Sequence, residues 1–448
     1  MNQRTGFTLI LWSSCLAMLA VGINSTAITA ALPTMRSELG LSASGVQWAV
    51  NAYLLVSAAC VALGGQTADR FGARLASMVG LALLGGASCM IAVAGTQAVL
   101  LAGRALQGIA AAVAVPCTLA AVSTSAGPER RAVAIAAWSG FLMLGFSLGP
   151  LLGGALTQFT GWRLIFWLNV PLVAIAIAGL ASAGSTAALS SGRKSQRTDW
   201  IGFVLVATMM ASLIFALQAA PNAGAAPLSV GAPVALAAVT FVLVLMVESR
   251  TKAPLIDLSF FARPAFALGV AIGALAIFSI MSLLLYFNLF AQTSNGLGLT
   301  ALEAGASLLP LSVALLALAL SASALAARVG LRNAMTAGMA LIALAGVITG
   351  VAVSGGGMVL LGTGFFMMGA GLAVPYALAP RLALSALSPT QAGQGSGIVN
   401  ACTFLGGSAG VAGGAIAFAL GGFVAVLAMI ACAGVVGAAL SRRIPERI

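Results

Sequence analysis

The sequence predicts an all-α polytopic membrane protein, and three observations support this prediction. Hydrophobic residues make up 61% and charged residues 6% of the 448 positions. With a mean hydropathy of +1.11, the chain has too little polar surface for a water-soluble protein of 44.3 kDa. The apolar residues occur in runs long enough to span a bilayer, for which about 20 residues are needed. Only short polar connections separate these runs, so large soluble domains are excluded.

Polar breaks divide the chain into fourteen candidate spans. A count of twelve or thirteen stays open, because the division at 221–233 is rich in Ala, Gly and Pro and the division at 420–422 is a tight turn. The candidate spans lie near 7–31, 46–66, 75–94, 98–122, 132–157, 164–183, 200–218, 231–248, 265–291, 303–326, 334–353, 357–380, 396–418 and 422–440.

The seventh and eighth spans follow a polar stretch at 190–197 and are interpreted as an inserted linking pair between two series of six. This predicts an N-terminal six-helix bundle at 1–185. A cytoplasmic loop with helices seven and eight follows at 186–249. A cytoplasmic linker and a C-terminal six-helix bundle complete the chain at 250–448.

The distribution of Lys and Arg predicts the orientation. If the N-terminus is cytoplasmic, all 20 of these residues lie on the cytoplasmic side except Arg36 and Arg163, which lie outside, and Arg104, which lies within a span. We therefore expect an inner (plasma) membrane protein with both termini cytoplasmic. Because the basic residues form short clusters between apolar runs, the net charge of +12 does not indicate nucleic-acid binding.

Residue content argues against an enzyme. The chain has no His, which removes imidazole from any metal site, catalytic triad or proton relay. All six Cys residues lie inside apolar stretches without CxxC spacing and are interpreted as small hydrophobic residues. We expect no metal, no cofactor and no catalytic residues.

The two six-helix series carry a faint internal repeat. The segment at 68–74 (ADRFGAR) aligns with the segment at 326–332 (AARVGLR), and both follow the second span of their half. A ladder of glycines at every fourth position also occurs on the fifth span of each half. Repeated halves that can rock about a central site are the architecture of many secondary transporters. The glycines of the two ladders are Gly145, Gly149 and Gly153, and Gly406, Gly410 and Gly414.

The segment at 65–74 (GQTADRFGAR) places opposite charges and two glycines in a predicted turn between the second and third spans. Glycine permits a tight turn, and the charges can bridge neighbouring helix ends. This run resembles the loop signature of the major facilitator superfamily, Gly-x-x-x-Asp-Arg-x-Gly-x-Arg, in which the loop acts as a gate between the halves. The resemblance implies gating roles for Gly65, Asp69, Arg70, Gly72 and Arg74.

Three further segments resemble elements of the same superfamily and occur in the same order. Residues 104–108 (RALQG) resemble its Arg-x-x-Gln-Gly element, and residues 145–154 (GFSLGPLLGG) resemble its antiporter motif. Glycines at every fourth position allow close helix contact, and proline permits a bend. Residues 161–171 (GWRLIFWLNVP) resemble the outer-loop signature of the fourteen-spanner drug:proton antiporters of EmrB/QacA type. The antiporter-motif residues are Gly145, Gly149, Pro150, Gly153 and Gly154.

This resemblance implies the superfamily fold, with two six-helix bundles, two linking helices and fourteen spans. It also implies a secondary active transporter that exports small hydrophobic drugs, antibiotics or metabolites by alternating access and proton coupling. The expected partners are a small-molecule substrate, protons and the lipid bilayer, and the chain is expected to act as a monomer. Three tryptophans at predicted outer ends are expected to anchor in the headgroups: Trp48, Trp162 and Trp167.

One position departs from the EmrB/QacA pattern. That subfamily carries an Asp nine residues before the proline of an Ala-Leu-Pro sequence, and here Pro33 places Asn24 at this position. All eight Asp and Glu residues fall in predicted loops or helix ends, and a buried carboxylate is the simplest proton carrier and partner for a cationic drug. Two hypotheses stay open. Proton-linked export would titrate a loop-end acid such as Asp69 or carry the proton on the substrate, whereas an exporter or facilitator of organic anions would need no intrinsic proton site.

Arg104 is a permanent cation within an apolar span, which is costly unless it faces a cavity or a partner. If Arg104 faces a cavity without a partner, it would favour an anionic substrate. If its role is structural, it would form hydrogen bonds to carbonyls or amides across the bundle. The superfamily's architecture places the first and fourth spans of each half around the cavity. The substrate and coupling residues that this implies are Asn24, Arg104, Gln107, Tyr286, Asn288 and Tyr376.

Overall fold

A computed structural model describes residues 3–183, 200–219, 227–248, 251, 257–388 and 391–445. Within these ranges all regular secondary structure is helical. The chain divides into two compact units, Met1–Thr198 and Asp199–Ile448. The polar stretch at 190–197 lies outside the described residues, and the domain boundaries drawn from the sequence stay predictions.

Eleven helical stretches in the described part of the chain are long and apolar enough to cross a membrane, and Ile201–Ala216 is a shorter apolar helix. Two of the eleven are long enough for two spans each. Leu331–Ser385 contains two helices joined by a π-turn, and Gln394–Ser441 is interrupted by non-helical backbone at Gly421 and Gly422. The predicted class, an all-α polytopic membrane protein, is therefore confirmed, whereas the number of spans stays a prediction.

The described residues of the first unit form six helices whose ends follow local sequence signals. Ser42 and Thr96 each cap the N-terminus of a helix through the side-chain oxygen, and Pro128 occupies the first turn of the fifth helix. Gly161 adopts a positive φ of 92° just before the sixth helix. These helices are α1 (Gln3–Leu39), α2 (Ala43–Phe71), α3 (Ala73–Ala92), α4 (Gln97–Ser125), α5 (Pro128–Phe159) and α6 (Arg163–Ser182).

The second unit begins with a helix pair and continues with a second helical series. A short 3₁₀ helix, Leu258–Ala262, precedes this series, and a π-turn, Ala352–Gly356, interrupts it. The last helix of the series is broken into two arms at Gly421 and Gly422. The α-helices are α7 (Trp200–Ala219), α8 (Pro227–Glu248), α9 (Pro264–Ala291), α10 (Ala301–Ser307), α11 (Leu309–Val329), α12 (Leu331–Val351), α13 (Gly357–Ser385) and α14 (Ala392–Ser441).

Helices pack in the same order within each unit. In the first unit α1 packs against α5, α2 against α4, and α3 against both α4 and α6. In the second unit α9 packs against the first arm of α14, α11 against α13, and α12 against both α13 and the second arm of α14. This correspondence agrees with the internal repeat that the sequence predicts. α7 packs against α8 and α14.

Candidate functional site

Arg104 lies at the centre of a polar network inside the first unit. Its side chain on α4 is 0% exposed. Its Nε donates a hydrogen bond of 2.7 Å to the carbonyl oxygen of Ala49 on α2, and its Nη1 donates one of 2.7 Å to Oε1 of Gln107. The guanidinium carbon lies 4.6 Å from the ring centroid of Tyr53, so the ring face adds a cation–π contact. Two neutral acceptors and an aromatic ring therefore contact the buried cation.

The network continues from Gln107 to three further helices. Gln107 Nε2 donates to Ser88 Oγ on α3 over 2.9 Å. Asn169 on α6 donates from Nδ2 to Ser88 Oγ over 3.2 Å and to Asn24 Oδ1 on α1 over 3.1 Å. The structure thus brings together three of the predicted site residues, Asn24, Arg104 and Gln107, through two residues that the site prediction omitted. Ser88 and Asn169 are isolated polar residues in apolar runs, which was the signal available in the sequence.

Three atoms of this network have no hydrogen-bond partner among the described residues. They are Arg104 Nη2, Asn24 Nδ2 and Asn169 Oδ1, and all are buried. The two carboxylates of the first unit whose side chains are described, Glu38 and Glu129, are exposed. The buried charge of Arg104 is therefore stabilised by dipoles, and two donors and one acceptor remain for a polar ligand or water.

Two of the predicted residues of the second unit donate hydrogen bonds to backbone carbonyl oxygens. Tyr286 on α9 donates from its hydroxyl to the carbonyl oxygen of Val411 over 2.7 Å, and its ring centroid lies 5.3 Å from that of Phe418. Asn288 donates to the carbonyl oxygen of Leu284 within its own helix. Tyr376 on α13 is half-buried. Tyr286 thus joins α9 to α14, and the use of all three residues by a substrate stays a prediction.

The antiporter-motif glycines line the contact of α5 with α1. A Cβ atom at Gly145 would lie 2.5 Å from the carbonyl oxygen of Leu19, and one at Gly149 would overlap Thr26 Oγ1. A Cβ at Gly153 would overlap the carbonyl oxygen of Ala27. Gly154 is buried and Pro150 lies inside the helix. The absence of side chains at these glycines permits the close approach of the two backbones.

The second ladder makes the equivalent contact between α14 and α9. Cβ atoms at Gly406 and Gly410 would overlap the carbonyl oxygens of Ala274 and Phe278 respectively. Ser282 Oγ donates to the carbonyl oxygen of Gly410 over 2.6 Å. The glycine match detected between the two halves of the sequence therefore corresponds to one type of helix contact used in each unit.

The predicted gating segment covers the C-terminal end of α2, the turn at Gly72 and the start of α3. Gly72 lies between these helices with φ 83° and ψ 136°, and its repeat equivalent, Gly330, lies between α11 and α12 with φ 85° and ψ 146°. Arg70 is exposed, and Arg74 Nη2 donates to the carbonyl oxygen of Ala181 over 2.7 Å. The side chain of Asp69 lies outside the described part of the structure, as does the surface of Gly65, which belongs to α2.

The outer-loop signature joins three parts of the first unit. Glu38 Oε2, at the end of α1, accepts bonds of 2.8 Å from both Trp162 Nε1 and Arg163 Nη1. Arg163 Nη2 also donates to the carbonyl oxygen of Ala94. Trp162 is 0% exposed, so the expectation of a headgroup anchor is wrong for this residue, because its indole N–H binds a carboxylate within the protein. Trp167, in contrast, is 43% exposed.

Among the acids whose side chains are described, Glu248 differs from the others. It lies at the C-terminal end of α8 and is 4% exposed, whereas Glu38, Glu129 and Glu303 are exposed and Asp257 is half-buried. The sequence placed Glu248 at a helix end without indicating that it is buried. Across the described residues no group of three or more Cys, Asp or Glu side chains is arranged to hold a metal ion.

Comparison with known families decides the classification. The Major Facilitator Superfamily profile matches residues 14–411, which is most of the chain. The chain belongs to the Major Facilitator Superfamily. The superfamily resemblance drawn from the loop, Arg-x-x-Gln-Gly and antiporter segments is thereby confirmed.

Relatives within the Major Facilitator Superfamily include bacterial resistance and export proteins. The chain is 34% identical over 304 residues to the methylenomycin A resistance protein of Bacillus subtilis, covering 66% of this chain and 64% of that protein. It is 31% identical over 408 residues to the tetracenomycin C resistance and export protein of Streptomyces glaucescens, covering 90% and 74%. It is also 31% identical over 428 residues to the cephamycin export protein CmcT of Amycolatopsis lactamdurans, covering 92% and 85%.

A solved structure with the same fold is that of the human organic anion transporter MFSD10. The TM-score is 0.65, and the match covers 98% of this chain and all of that one. At 18% identity, the match supports the superfamily fold alone.

Proposed function

We propose that this protein is a secondary active transporter that exports small, largely apolar drugs, antibiotics or metabolites by alternating access. The observation that carries the proposal is the shared packing order of the two units, in which glycine ladders bring α5 close to α1 and α14 close to α9. Alternating access by rocking about a central site requires two bundles with the same helix arrangement. The family membership and the names of the resistance and export relatives support the direction and the substrate class.

The proposal includes fourteen spans of EmrB/QacA type. Counting α10 with α11 as one span and the two arms of α14 as two, the described helices amount to fourteen. The apolar stretch Ile201–Ala216 lies within α7. The distribution of Lys and Arg supports an inner-membrane location with both termini in the cytoplasm. We propose that the monomer is the transporting unit.

Proton coupling is the part of the proposal that needs a carboxylate. Asn24 takes the place of the embedded acid and is bonded to Asn169, so α1 supplies no titratable group at that position. Two carboxylates remain as candidates, Asp69 near the C-terminal end of α2 and the buried Glu248 at the end of α8. A proton carried on the substrate is the alternative.

Export of organic anions without an intrinsic proton site is the second candidate function. It requires Arg104 to meet the substrate, and the unused Nη2 donor favours such a contact. The bonds from Nε to Ala49 and from Nη1 to Gln107 favour a structural role instead. We therefore rank proton-linked export of apolar compounds above anion export.

The test is uptake into inverted membrane vesicles with and without an imposed pH gradient. The panel contains cationic dyes, neutral antibiotics and organic acids, and vesicles lacking the protein provide the background. Gradient-driven accumulation that is lost in Asp69→Asn or Glu248→Gln supports proton-linked export and identifies the carrier. Accumulation confined to organic acids and independent of the gradient favours the anion alternative, and no accumulation of any compound contradicts both.

A further inference from the structure

Five arginines from separate parts of the sequence lie near one end of α12. Arg328 is in the last turn of α11, and Arg332 is the second residue of α12. Arg381 lies close to the C-terminal end of α13, and Arg442 and Arg443 follow directly after α14. These five residues are called the arginine cluster below, because the contacts of α12 with its neighbours bring their positions together.

The contact of α12 with α13 places Arg381 level with Arg332. A Cβ at Gly338 would lie 2.9 Å from both Gly371 O and Pro375 Cδ, and the two helices run antiparallel. Arg332 is six residues before Gly338, and Arg381 is six residues after Pro375. At about 1.5 Å of rise per residue, both positions lie about 9 Å from this contact in the same direction.

The contact of α12 with the second arm of α14 places Arg442 and Arg443 at the same level. A Cβ at Gly434 would lie 2.6 Å from Ala343 N, and one at Gly437 would overlap Met339 Cε. This antiparallel register continues to the end of α14 opposite the first turn of α12. The turn at Gly330 joins α11 directly to α12 and so adds Arg328 to the same region.

Four arginines of the cluster have no carboxylate partner among the described residues. Arg328, Arg381, Arg442 and Arg443 are exposed. The salt bridge found among the described residues joins Arg163 to Glu38 in the other unit. The equivalent turn of the first unit contains an acid, Asp69, but alanine occupies the corresponding position 327 in this turn. The partial negative charge at a helix C-terminus explains why a single arginine is favourable there. It does not explain why arginines occur together at the ends of four helices.

Exposed apolar side chains lie next to the cluster on the same helices. Leu325 and Val329 on α11 are 38% and 46% exposed, and Val435 and Val436 on α14 are 60% and 52% exposed. Val435 precedes Arg442 by seven residues, about 10 Å along the helix. On α14 this surface therefore combines cationic groups with apolar side chains about two turns deeper, which matches an amphiphile better than a free inorganic anion.

We propose that the arginine cluster binds the phosphodiester headgroups of anionic phospholipids in the cytoplasmic leaflet, with acyl chains along α11 and the second arm of α14. Guanidinium groups bind phosphate oxygens through paired N–H donors, and basic residues at the cytoplasmic side of spans attract anionic lipids. The site lies within the second unit and does not depend on the transported substrate. Its ligand holds the ends of α11, α12, α13 and α14 together at this surface.

The proposal is tested by lipid binding to the purified full-length protein. Phosphatidylglycerol and phosphatidylcholine of identical acyl chains are titrated, and retained lipid is measured by native mass spectrometry alongside the shift in melting temperature. The test variant is Arg442→Gln/Arg443→Gln. The matched control is Arg130→Gln/Arg131→Gln, which removes the same charge from an adjacent exposed pair at the start of α5.

We expect phosphatidylglycerol to bind and to raise the melting temperature more than phosphatidylcholine. The test variant is expected to bind phosphatidylglycerol about tenfold to thirtyfold more weakly, at about 1 kcal/mol per arginine, while the control keeps wild-type binding. Equal binding of the two lipids, or equal loss in both variants, overturns the proposal. Inorganic phosphate that gives the same melting shift as phosphatidylglycerol also overturns it, because the ligand is then a free anion.

Discussion

Asn169 on α6 donates a hydrogen bond of 3.1 Å to Oδ1 of Asn24 on α1, and the same amide nitrogen lies 3.2 Å from Ser88 Oγ on α3. The position at which the EmrB/QacA pattern has a titratable acid is therefore occupied here by a neutral amide with a defined partner. Asn24 is 1% exposed and Asn169 is 0% exposed. The replacement keeps a hydrogen-bond acceptor and removes the charge.

The first prediction concerns Asn24→Asp. Asn169 Nδ2 is already placed to donate to a carboxylate oxygen at this position, so the variant is expected to fold. It should gain pH-dependent accumulation of cationic dyes in inverted vesicles, because a buried carboxylate can exchange a proton for a cation. Asn24→Leu is the control of similar size and should show no such gain. Dye accumulation that is identical in the two variants would contradict the prediction.

The second prediction concerns Arg104→Gln. A shorter neutral side chain cannot bond both Ala49 O and Gln107 Oε1, and leaving buried acceptors without donors costs about 1–3 kcal/mol. The melting temperature of the purified protein should fall. Arg163→Gln is the control, because it breaks an exposed ion pair worth about 0–1 kcal/mol. If the melting temperature of the variant equals that of the wild type but its substrate profile changes, Arg104 contacts the substrate rather than stabilising the helix bundle.

The third prediction concerns the glycine ladders. Gly149→Ala should force α5 away from Thr26 on α1, at a cost of about 1–3 kcal/mol, and reduce transport. Gly86→Ala on α3 is the control, since a Cβ there meets no atom within 4 Å. Gly410→Ala and Gly350→Ala form the equivalent pair in the second unit. Equal melting temperatures within each pair would show that the close contact does not matter for stability.

The fourth prediction concerns the turn glycines. Gly72 and Gly330 adopt positive φ with extended ψ, a conformation that side chains with a Cβ rarely adopt. Gly72→Ala and Gly330→Ala should each cost about 1–3 kcal/mol, and the costs should be similar because the two turns have the same backbone conformation. Thermal melting of both variants checks this. If only one of the two variants loses stability, the two turns are not energetically equivalent.

Patterns along the chain were enough to predict the membrane class, the helical runs and the superfamily. Apolar runs of span length have one stable outcome in a bilayer, because only a helix bonds all its backbone groups within a single segment. Glycines four residues apart, as at Gly145 and Gly149, predict close helix contact because they lie on one helix face. The turn at Gly72 was also predictable, because the residues that favour a turn are adjacent in the sequence.

Tertiary structure decided what those patterns could not. Whether Arg104 faces a cavity or binds Ala49 and Gln107 depends on helices that are distant in sequence, and a polar residue in a span has the same composition signal in either case. The burial of Trp162 beside Glu38 likewise depends on the packing of separate parts of the chain, as does the placing of Arg381 and Arg442 at the same level along α12. Hydropathy indicates whether a segment lies within the membrane. Which groups a side chain contacts there depends on the helices that the fold packs around it.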